Sequence, residues 1–221
     1  MSIPQHNAVR MPDYIGHAQT SIQKSQDLRP LSTLAAGRVL FDQDDPGAEV
    51  IQLVKGTMCS FHPTEDGERL ISSFILAGEF FCLSFKGRRA FTVEAVSECL
   101  YRRLTTYDLQ NSSGSEPFDE MLRSEAFRLH SGLLDRLHRT ADAKTAAFIL
   151  DMARRSRGSD SDGVRVRLEM SRADMAAYLA VSTETMVRSL KRLCRSEIVQ
   201  AIGLHEFEIR DSRRLRQYAS D

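Results

Sequence analysis

The stretch SRADMAAYLAVSTETMVRSLKRL, residues 171–193, contains two helical patterns with a very short turn between them. Ser171 followed by Asp174 predicts the start of the first helix, and Ser182 is a good N-cap for a second helix that begins at Thr183. Two short helices joined by so tight a turn are typical of a helix-turn-helix.

The second of these helices has two different faces. Three apolar residues recur at spacings of four and three and predict a buried stripe, namely Met186, Leu190 and Leu193. A helix-turn-helix places the N-terminal part of its second helix in the major groove, where Arg can bind guanine, Glu can bind cytosine and Val can touch a thymine methyl. The candidate base contacts are therefore Thr183, Glu184, Val187 and Arg188. The candidate phosphate contacts are Ser182, Lys191, Arg192 and Arg195.

Strand patterns flank the two helices. VRVRLEM, residues 164–170, alternates strictly between apolar and charged residues and predicts a half-buried strand. IVQAIGLHEFEIRD, residues 198–211, predicts two strands around Gly203, as in the wing of a winged helix. Residues 153–221 hold 14 Lys and Arg against 10 Asp and Glu, although the whole chain has a net charge of zero. A winged helix-turn-helix on a basic segment predicts binding to double-stranded DNA.

The preceding part of the chain predicts a β domain. Asp66-Gly67 lies between two alternating runs and predicts a hairpin. Short, regularly spaced strands are typical of a sandwich or jelly roll. The runs with strand character are RVLF, EVIQLVKG, TMCSFHP, ERLISSFIL, FTVEAV and CLYRRL.

A jelly roll can also hold the catalytic metal of a cupin-type enzyme. Such a metal needs three or four converging ligands, and this part of the chain offers only His62. We expect His62, beside Pro63, to be a solvated residue in a turn. Neither a metal site nor catalytic residues are predicted, so the chain is not expected to be an enzyme.

Residues 118–155 are predicted to be helical, with a bend before Asp142. The first part carries an apolar stripe of coiled-coil spacing, and such a stripe predicts a homodimer interface. The residues of this stripe are Leu122, Ala126, Leu129, Leu133 and Leu137. The alternative is that the same stripe packs against the β domain of its own chain.

The four cysteines, Cys59, Cys82, Cys99 and Cys194, have no C-x-x-C spacing and do not indicate a zinc site. Cys194 is a candidate redox-sensitive residue, because Arg192 and Arg195 could favour its thiolate. The alternative is an inert small side chain under the wing. No signal-peptide pattern and no apolar window of membrane-spanning length occur, so we expect a cytoplasmic protein without a membrane partner.

In this order, the motifs resemble the CRP/FNR superfamily of bacterial transcription regulators over about residues 30–218. DMAAYLAVSTETMVRSLKRL is similar to its recognition motif, and KTAAFILDMARR to the helix that enters its DNA-binding domain. LAGEFFCLSFKGRRAFTVEAVSEC is similar to its glycine-acid-phenylalanine cassette. The resemblance implies an α+β fold: a cyclic-nucleotide-binding-like β jelly roll, a long dimerisation helix and a C-terminal winged helix-turn-helix. The corresponding boundaries are 1–29 for an N-terminal extension, 30–117, 118–155 and 156–221.

The departures from the family pattern narrow this resemblance. Nucleotide-binding members supply a Glu to the ribose and an Arg-Ser pair to the cyclic phosphate, and the matching positions here are Leu83 and Arg89-Ala90. Cyclic AMP is therefore not expected to be the effector. Oxygen-sensing members hold an iron–sulfur cluster with three N-terminal cysteines and one in the barrel; Cys99 lies near the barrel position, but residues 1–58 contain no cysteine. No cofactor is expected, and the resemblance is to the FixK-like branch.

That branch implies a homodimeric regulator of low-oxygen or nitrogen-related genes that binds a palindromic TTGA-type site and works with RNA polymerase. The resemblance assigns the shared G and A steps of each half-site to Glu184 and Arg188. Val187 would contact a thymine methyl, and Thr183 would favour TTGA over GTGA. Two alternatives stay open: a regulator of the same fold gated by an unidentified small molecule, and a ligand-binding module with a vestigial helix-turn-helix.

Overall fold

The protein is described here by a computed structural model that covers residues 29–81, 84–105, 108 and 139–220. Within these residues it has an α+β fold, in which an N-terminal β domain is followed by four helices and a small sheet. One apolar cluster fills the jelly roll, and a second joins strands β4 (Thr57–Pro63) and β5 (Arg69–Leu76) to the C-terminal helices.

The β domain is an antiparallel jelly roll of two four-stranded sheets. One sheet has the order β1-β10-β3-β6 and the other β2-β9-β4-β5, while β7 and β8 form a separate hairpin. Each of the six runs predicted from the sequence contains one of these strands. The remaining bounds are β1 Ser32–Leu34, β2 Val39–Phe41, β3 Val50–Lys55, β6 Phe80–Phe81, β7 Ser84–Phe85, β8 Arg88–Arg89, β9 Thr92–Ala95 and β10 Cys99–Leu104.

The predicted Asp66-Gly67 hairpin is confirmed and joins β4 to β5. The turn is closed by hydrogen bonds from Thr64 N to Glu68 O at 2.9 Å and from Gly67 N to Thr64 O at 3.0 Å. Gly67 has a φ of +77°, a left-handed conformation that glycine adopts without the steric penalty of a Cβ atom. The turn therefore depends on glycine at this position.

The expectation for His62 is wrong. His62 lies in strand β4 and is half-buried, with its ring 4.4 Å from that of Phe91. Its Nδ1 forms a 2.9 Å hydrogen bond with Oε1 of Gln43. The strand continues as far as Pro63 because its pairing with β5 extends to Arg69, which the local sequence does not indicate.

The C-terminal part contains four helices and a three-stranded sheet of order β11-β13-β12. The first helix packs on the third and on the fourth, and so forms part of the C-terminal unit, residues 141–220, for which DNA binding is predicted. This helix runs across the boundary expected between residues 155 and 156. The bounds are α1 Ala141–Arg157, β11 Arg165–Arg167, α2 Arg172–Leu179, α3 Thr183–Arg195, β12 Val199–Ala201, β13 Glu206–Ile209 and α4 Ser212–Ser220.

Local capping sets the limits of these helices. Ser171 and Ser182 are the N-caps of α2 and α3, as predicted, and Thr140 caps α1. α1 ends at Gly158, which has a φ of +68°. Ala180 takes the left-handed conformation between α2 and α3, with a φ of 51°. The turn between the two helices is thus only three residues long. Across the described residues, no helix has the length and apolar character needed to cross a membrane.

Candidate DNA-binding site

Helix α3 presents one buried and one exposed face. Met186, Leu190 and Leu193 are buried in the apolar cluster shared with α1 and α2, which confirms the predicted stripe. Thr183, Glu184, Arg188 and Lys191 are exposed on the other side. Val187 differs from expectation, because it is half-buried and packs against the same cluster. Only part of its side chain is left for an external partner.

The N-terminus of α3 carries a negatively charged side chain. The hydroxyl oxygen of Ser182 accepts a hydrogen bond from the backbone N–H of Thr185 at 3.2 Å and so caps the helix. The backbone N–H of Glu184, the Ser182 hydroxyl and the charge of Arg188 together hold the pKa of the Glu184 carboxyl below its usual value. Glu184 is therefore an ionised hydrogen-bond acceptor at neutral pH.

Three cations on or beside the exposed face of α3 form no salt bridge with the described residues. Arg188, Lys191 and Arg195 are exposed and form no ion pair with the described part of the chain. Successive members are three or four residues apart, so their side chains lie along one side of the helix. Uncompensated positive charge of this kind suits an anionic partner.

Arg192 is placed differently from the expected phosphate contact. Its Nη2 binds Oδ1 of Asp142, at the start of α1, at 2.6 Å. Burial raises the pKa of Asp142, but the hydrogen bond and charge of Arg192 bring it below its usual value. The ion pair joins α3 to α1, while half of the Arg192 side chain stays exposed, so its contact with phosphate stays a prediction.

The wing is tethered to the start of α2 by Arg172, a residue that the sequence did not single out. Arg172 Nη2 donates to the carbonyl oxygen of Leu204 at 2.9 Å, and its guanidinium lies 5.2 Å from the Phe207 ring centroid. Between the wing and α3 lies a cleft of about 430 Å³, and Arg172, Lys191 and Arg195 all line it. The sequence marks Arg172 only by its position immediately after Ser171, the N-cap of α2.

Cys194 lies in this cleft and is half-buried. Burial raises the pKa of its thiol, and the hydrogen bond from the backbone N–H of Ala201 and the charge of Arg172 do not reverse this. Arg192 and Arg195 were expected to stabilise the thiolate, but the cation that acts on Cys194 is Arg172. The geometry favours the alternative of a small side chain under the wing.

The stripe predicted to form the dimer interface, Leu122 to Leu137, lies outside the described residues. In the described part of the chain, no group of three or more His, Cys, Asp and Glu side chains converges in a way that could hold a metal ion.

Comparison with known families covers both halves of the protein. The Crp-like helix-turn-helix domain matches residues 143–218, and the cyclic nucleotide-binding domain matches residues 31–115. The nitrogen fixation regulation protein FixK of Azorhizobium caulinodans is 31% identical over 92% of this chain and 86% of its own length. The chain belongs to the CRP/FNR superfamily, in its FixK-like branch.

Two further relatives agree with this assignment. The transcriptional activator protein anr of Pseudomonas aeruginosa is 28% identical over 81% of this chain and 76% of its own length. The structure of FixK2 from Bradyrhizobium japonicum superposes with a TM-score of 0.77 at 25% identity, over 86% of this chain and 97% of the other. This CRP/FNR protein is thus a DNA-binding transcription regulator.

The position that binds a cyclic phosphate in nucleotide-binding members is filled from within the protein. Arg89 is only 2% exposed, and its Nη2 binds a carboxylate oxygen of Glu49. Its Nη1 donates to the backbone oxygen of Glu49 at 3.0 Å, and its guanidinium lies 4.2 Å from the Phe41 ring centroid. A Cβ atom at Gly47 would approach Arg89 Nε to 2.6 Å, so glycine leaves room for this buried arginine. Within the described residues, Arg89 Nε is buried without a hydrogen-bond partner. A cyclic phosphate that binds Arg89 would have to compete with Glu49.

The barrel cysteine of this CRP/FNR protein is a packed thiol. The Sγ of Cys99 donates to the backbone oxygens of Ser97 at 3.1 Å and Thr57 at 3.4 Å. Burial raises the pKa of the Cys99 thiol to about 11. Cys59 is similarly buried, with its Sγ 3.0 Å from Nη2 of Arg69, and burial raises its pKa to about 12. Both thiols are therefore protonated at neutral pH.

Proposed function

We propose that this regulator binds, as a homodimer, an inverted repeat of TTGA-type half-sites. The observation that carries the proposal is the exposed start of α3, where Glu184 and Arg188 lie one turn apart and form no salt bridge within the described part of the chain. Side chains separated by one helical turn can address neighbouring base pairs in the major groove. The homologous regulators share this part of the fold, and the TTGA preference comes from the resemblance of the recognition motif.

The individual contacts follow from the placement of the side chains. Arg188 donates to guanine, and Glu184 accepts from the amino group of cytosine on the opposite strand. Thr183 is too short to hold the additional guanine of a GTGA half-site, which favours TTGA. The exposed part of Val187 provides a weak apolar contact to a thymine methyl.

Phosphate contacts surround this base-reading surface. Lys191 and Arg195 form no salt bridge with the residues that the structure describes and border the cleft beside the wing. Ser182 is exposed at the N-terminus of α3. These three residues meet backbone phosphates. Arg192 stays a predicted phosphate contact through the exposed half of its side chain, although Asp142 binds it.

Homodimers of this kind read two half-sites that are about one helical turn apart. Replacing Leu129 and Leu133 with Glu removes the apolar stripe of residues 122–137 and should give monomers with weak affinity for the inverted repeat. Light scattering measures the molar mass and so distinguishes monomer from dimer. A dimer in the variant means that the interface lies elsewhere.

The genes under control are of low-oxygen or nitrogen-related metabolism, by similarity to the FixK and Anr proteins named above. Such a regulator works in the cytoplasm and acts on RNA polymerase at its promoters. It reads DNA and has no catalytic reaction of its own.

The test of this function is selection of bound sequences from a pool of random duplexes. We expect enrichment of inverted TTGA half-sites by the wild-type protein and loss of that enrichment in Arg188→Ala. Arg38→Ala removes another exposed arginine, from the β domain, and is the matched control, with enrichment unchanged. Enrichment of unrelated sequences by the wild type would reject the TTGA assignment, and absence of any enrichment would favour a vestigial helix-turn-helix.

A further inference from the structure

The β domain and the DNA-binding unit share one apolar cluster. The rings of Phe74 in β5, Phe148 in α1 and Tyr178 in α2 meet there, with centroid separations of 5.3 to 6.0 Å. Apolar contacts of this kind hold two surfaces together, but the hydrophobic effect is non-directional and does not by itself fix their orientation. Directional contacts, such as hydrogen bonds and ion pairs, are therefore required to fix the orientation of the DNA-binding unit relative to the β domain.

Arg155, near the end of α1, supplies such a contact with the β domain. Its Nε and Nη2 each donate to a carboxylate oxygen of Glu79, both at 2.8 Å. Its Nη1 donates to Asp151 at 3.0 Å, and its Nη2 also donates to the backbone oxygen of Phe74. Glu79 belongs to the turn between β5 and β6, and its own backbone N–H donates to Leu76 O at 3.1 Å.

This ion pair is largely removed from solvent, with 12% of the Arg155 side chain and 15% of the Glu79 side chain exposed. Burial alone would lower the pKa of Arg155, but the charges of Glu79 and Asp151 raise it above its ordinary value. A buried guanidinium is tolerated only when its hydrogen bonds are satisfied in good geometry. The planar fork of arginine meets both oxygens of a carboxylate in one orientation, so a small rotation of either domain breaks it.

A second polar contact crosses the same junction. The hydroxyl of Ser97, before β10, donates to Oε2 of Glu169, before α2, at 2.5 Å. Oε1 of Glu169 lies 3.2 Å from Nε of Arg167. The two polar contacts reach the DNA-binding unit at different elements, α1 and the segment before α2. Together they restrict rotation more than either contact could alone.

We propose that Arg155 and Glu79 are positioning residues for DNA recognition, which set the separation of the two recognition helices in the dimer. The inference rests on the proposed binding to an inverted repeat. The dimer brings two β domains together. Each Arg155–Glu79 pair then fixes the orientation of α3 relative to the β domain of its own chain. The face of α3 with Glu184 and Arg188 stays exposed in this arrangement. The Arg155–Glu79 contact is therefore compatible with binding to DNA.

The test uses spacer length, which a general loss of stability would not change selectively. Inserting or deleting one base pair moves a half-site by about 3.4 Å along the duplex and rotates it by about 35°. A rigid protein discriminates strongly against both changes. A protein with a loosened junction discriminates less, while it still reads each half-site.

The main variant is Arg155→Met combined with Glu79→Gln. It removes both charges, so neither is left buried without a partner, and the amide can still accept from Leu76 N as the carboxylate does at 2.9 Å. We expect affinity for the natural spacing to fall by about tenfold and the preference for that spacing to decrease similarly. Discrimination between bases within a half-site should not change.

The matched control is Lys55→Met combined with Glu98→Gln. This exposed pair, 3.9 Å apart, lies within the β domain and undergoes the same change of charges. It should keep the wild-type preference for spacing.

Arg155→Lys is a second variant, because a lysine keeps the charge but cannot meet both carboxylate oxygens. It should show part of the loss.

Calorimetric unfolding without DNA separates this inference from the proposed function. We expect the wild type to unfold in one transition and the double variant in two, as the domains uncouple. If wild-type protein does not prefer the inverted repeat over a scrambled duplex, the proposed function fails while the unfolding result still tests the coupling. An unchanged preference for spacing in a folded double variant overturns the inference. Tighter binding by that variant also overturns it, because the contact would then be inhibitory.

Discussion

The carboxylate of Glu49 binds the buried guanidinium of Arg89 inside the β domain. The backbone N–H of Glu49, and then the charges of Arg89 and Arg103, hold the pKa of this carboxyl below its usual value despite partial burial. The carboxylate is therefore charged at neutral pH and occupies the arginine that would otherwise meet a phosphate.

The first prediction is that cyclic AMP does not bind in the micromolar range. A cyclic phosphate would have to displace Glu49, and polar groups that lose their partners on burial cost roughly 1–3 kcal/mol each. Titration calorimetry with the purified protein measures the affinity, with 5′-AMP as the reference for unspecific heat. Saturable micromolar binding of cyclic AMP alone would contradict the prediction.

The second prediction separates base reading from phosphate binding on α3. Arg188→Ala should cost about 1–3 kcal/mol and relax the choice at the guanine of each half-site. Lys191→Ala should weaken binding to all sequences alike and make affinity less dependent on salt. Affinities for single-base variants of the inverted repeat, at several salt concentrations, give both results. Unchanged discrimination at guanine in Arg188→Ala would show that this residue has been assigned the wrong role.

The third prediction concerns Asp160, which accepts hydrogen bonds from Arg154 at 2.6 Å and from Arg216 at 2.7 Å. Burial raises the pKa of Asp160, but the hydrogen bonds from Arg216 and Arg154 bring it below its usual value. A carboxyl with a depressed pKa stabilises the fold above its unfolded pKa of about 3.9, and this contribution is lost as the pH falls through the folded value.

Asp160→Asn should therefore lower the free energy of unfolding by about 1 kcal/mol at neutral pH, a modest value because both arginines are half-exposed. The difference from wild type should shrink as the pH falls below about 3.9 and through the lower pKa of the folded state. Urea unfolding at a series of pH values from about 7 down to about 2 follows this loss. Glu65→Gln, on the exposed hairpin, is the control and should have little effect. An Asp160→Asn deficit that persists in acid would rule out the ion pairs as its cause.

The fourth prediction is that Cys194 is not a redox switch. Its raised pKa leaves less thiolate at neutral pH than a free cysteine has, and the thiolate is the form that reacts with oxidants. Peroxide should change DNA binding equally in the wild type and in Cys194→Ser. A loss that occurs only in the wild type would show that Cys194 is reactive after all.

The fifth prediction is that Ala180→Gly stabilises the protein. Ala180 has a φ of 51° and a ψ of 54°, and the left-handed conformation costs a residue with a Cβ atom roughly 1–2 kcal/mol. The greater freedom of glycine in the unfolded chain offsets part of this gain, which leaves about 0.5–1 kcal/mol. Thermal unfolding measures the change.

Ala177→Gly is the matched control for this substitution. Ala177 is exposed within α2, where glycine should destabilise by about 1 kcal/mol. If both variants lose stability, the turn at Ala180 is not strained.

Local signals in the sequence predicted much of the fold. Alternating residues gave the six main strands, Asp66-Gly67 gave the hairpin, and Ser171 and Ser182 gave the helix starts, because each signal acts over a few neighbouring residues. The last helix, α4, was missed although Leu215 and Ala219 have the spacing of a buried helical face. The two-residue strands β6, β7 and β8 are too short to carry a pattern of their own.

The contacts that give the site its detail join distant residues. Arg192 and Asp142 are 50 positions apart, and Arg172 and Leu204 are 32 positions apart. From the sequence alone, Arg192 could contact either DNA or α1. Its ion pair with Asp142 depends on how α1 packs against α3, which the local sequence does not indicate. His62 in β4 likewise contacts Gln43, which follows β2, because both strands lie beside β9 in one sheet.

The unpaired cations around α3 belong to a molecule with no net charge and a sequence pI of about 7.0. Residues 1–152 hold 16 Lys and Arg against 20 Asp and Glu, so the excess positive charge of residues 153–221 is balanced by excess negative charge in the rest of the chain. Near neutral pH no overall repulsion keeps separate copies apart, while opposite ends attract each other. In dilute buffer the solubility should therefore pass through a minimum close to pH 7. Added salt should raise it, because screening weakens attraction between exposed charges on different molecules.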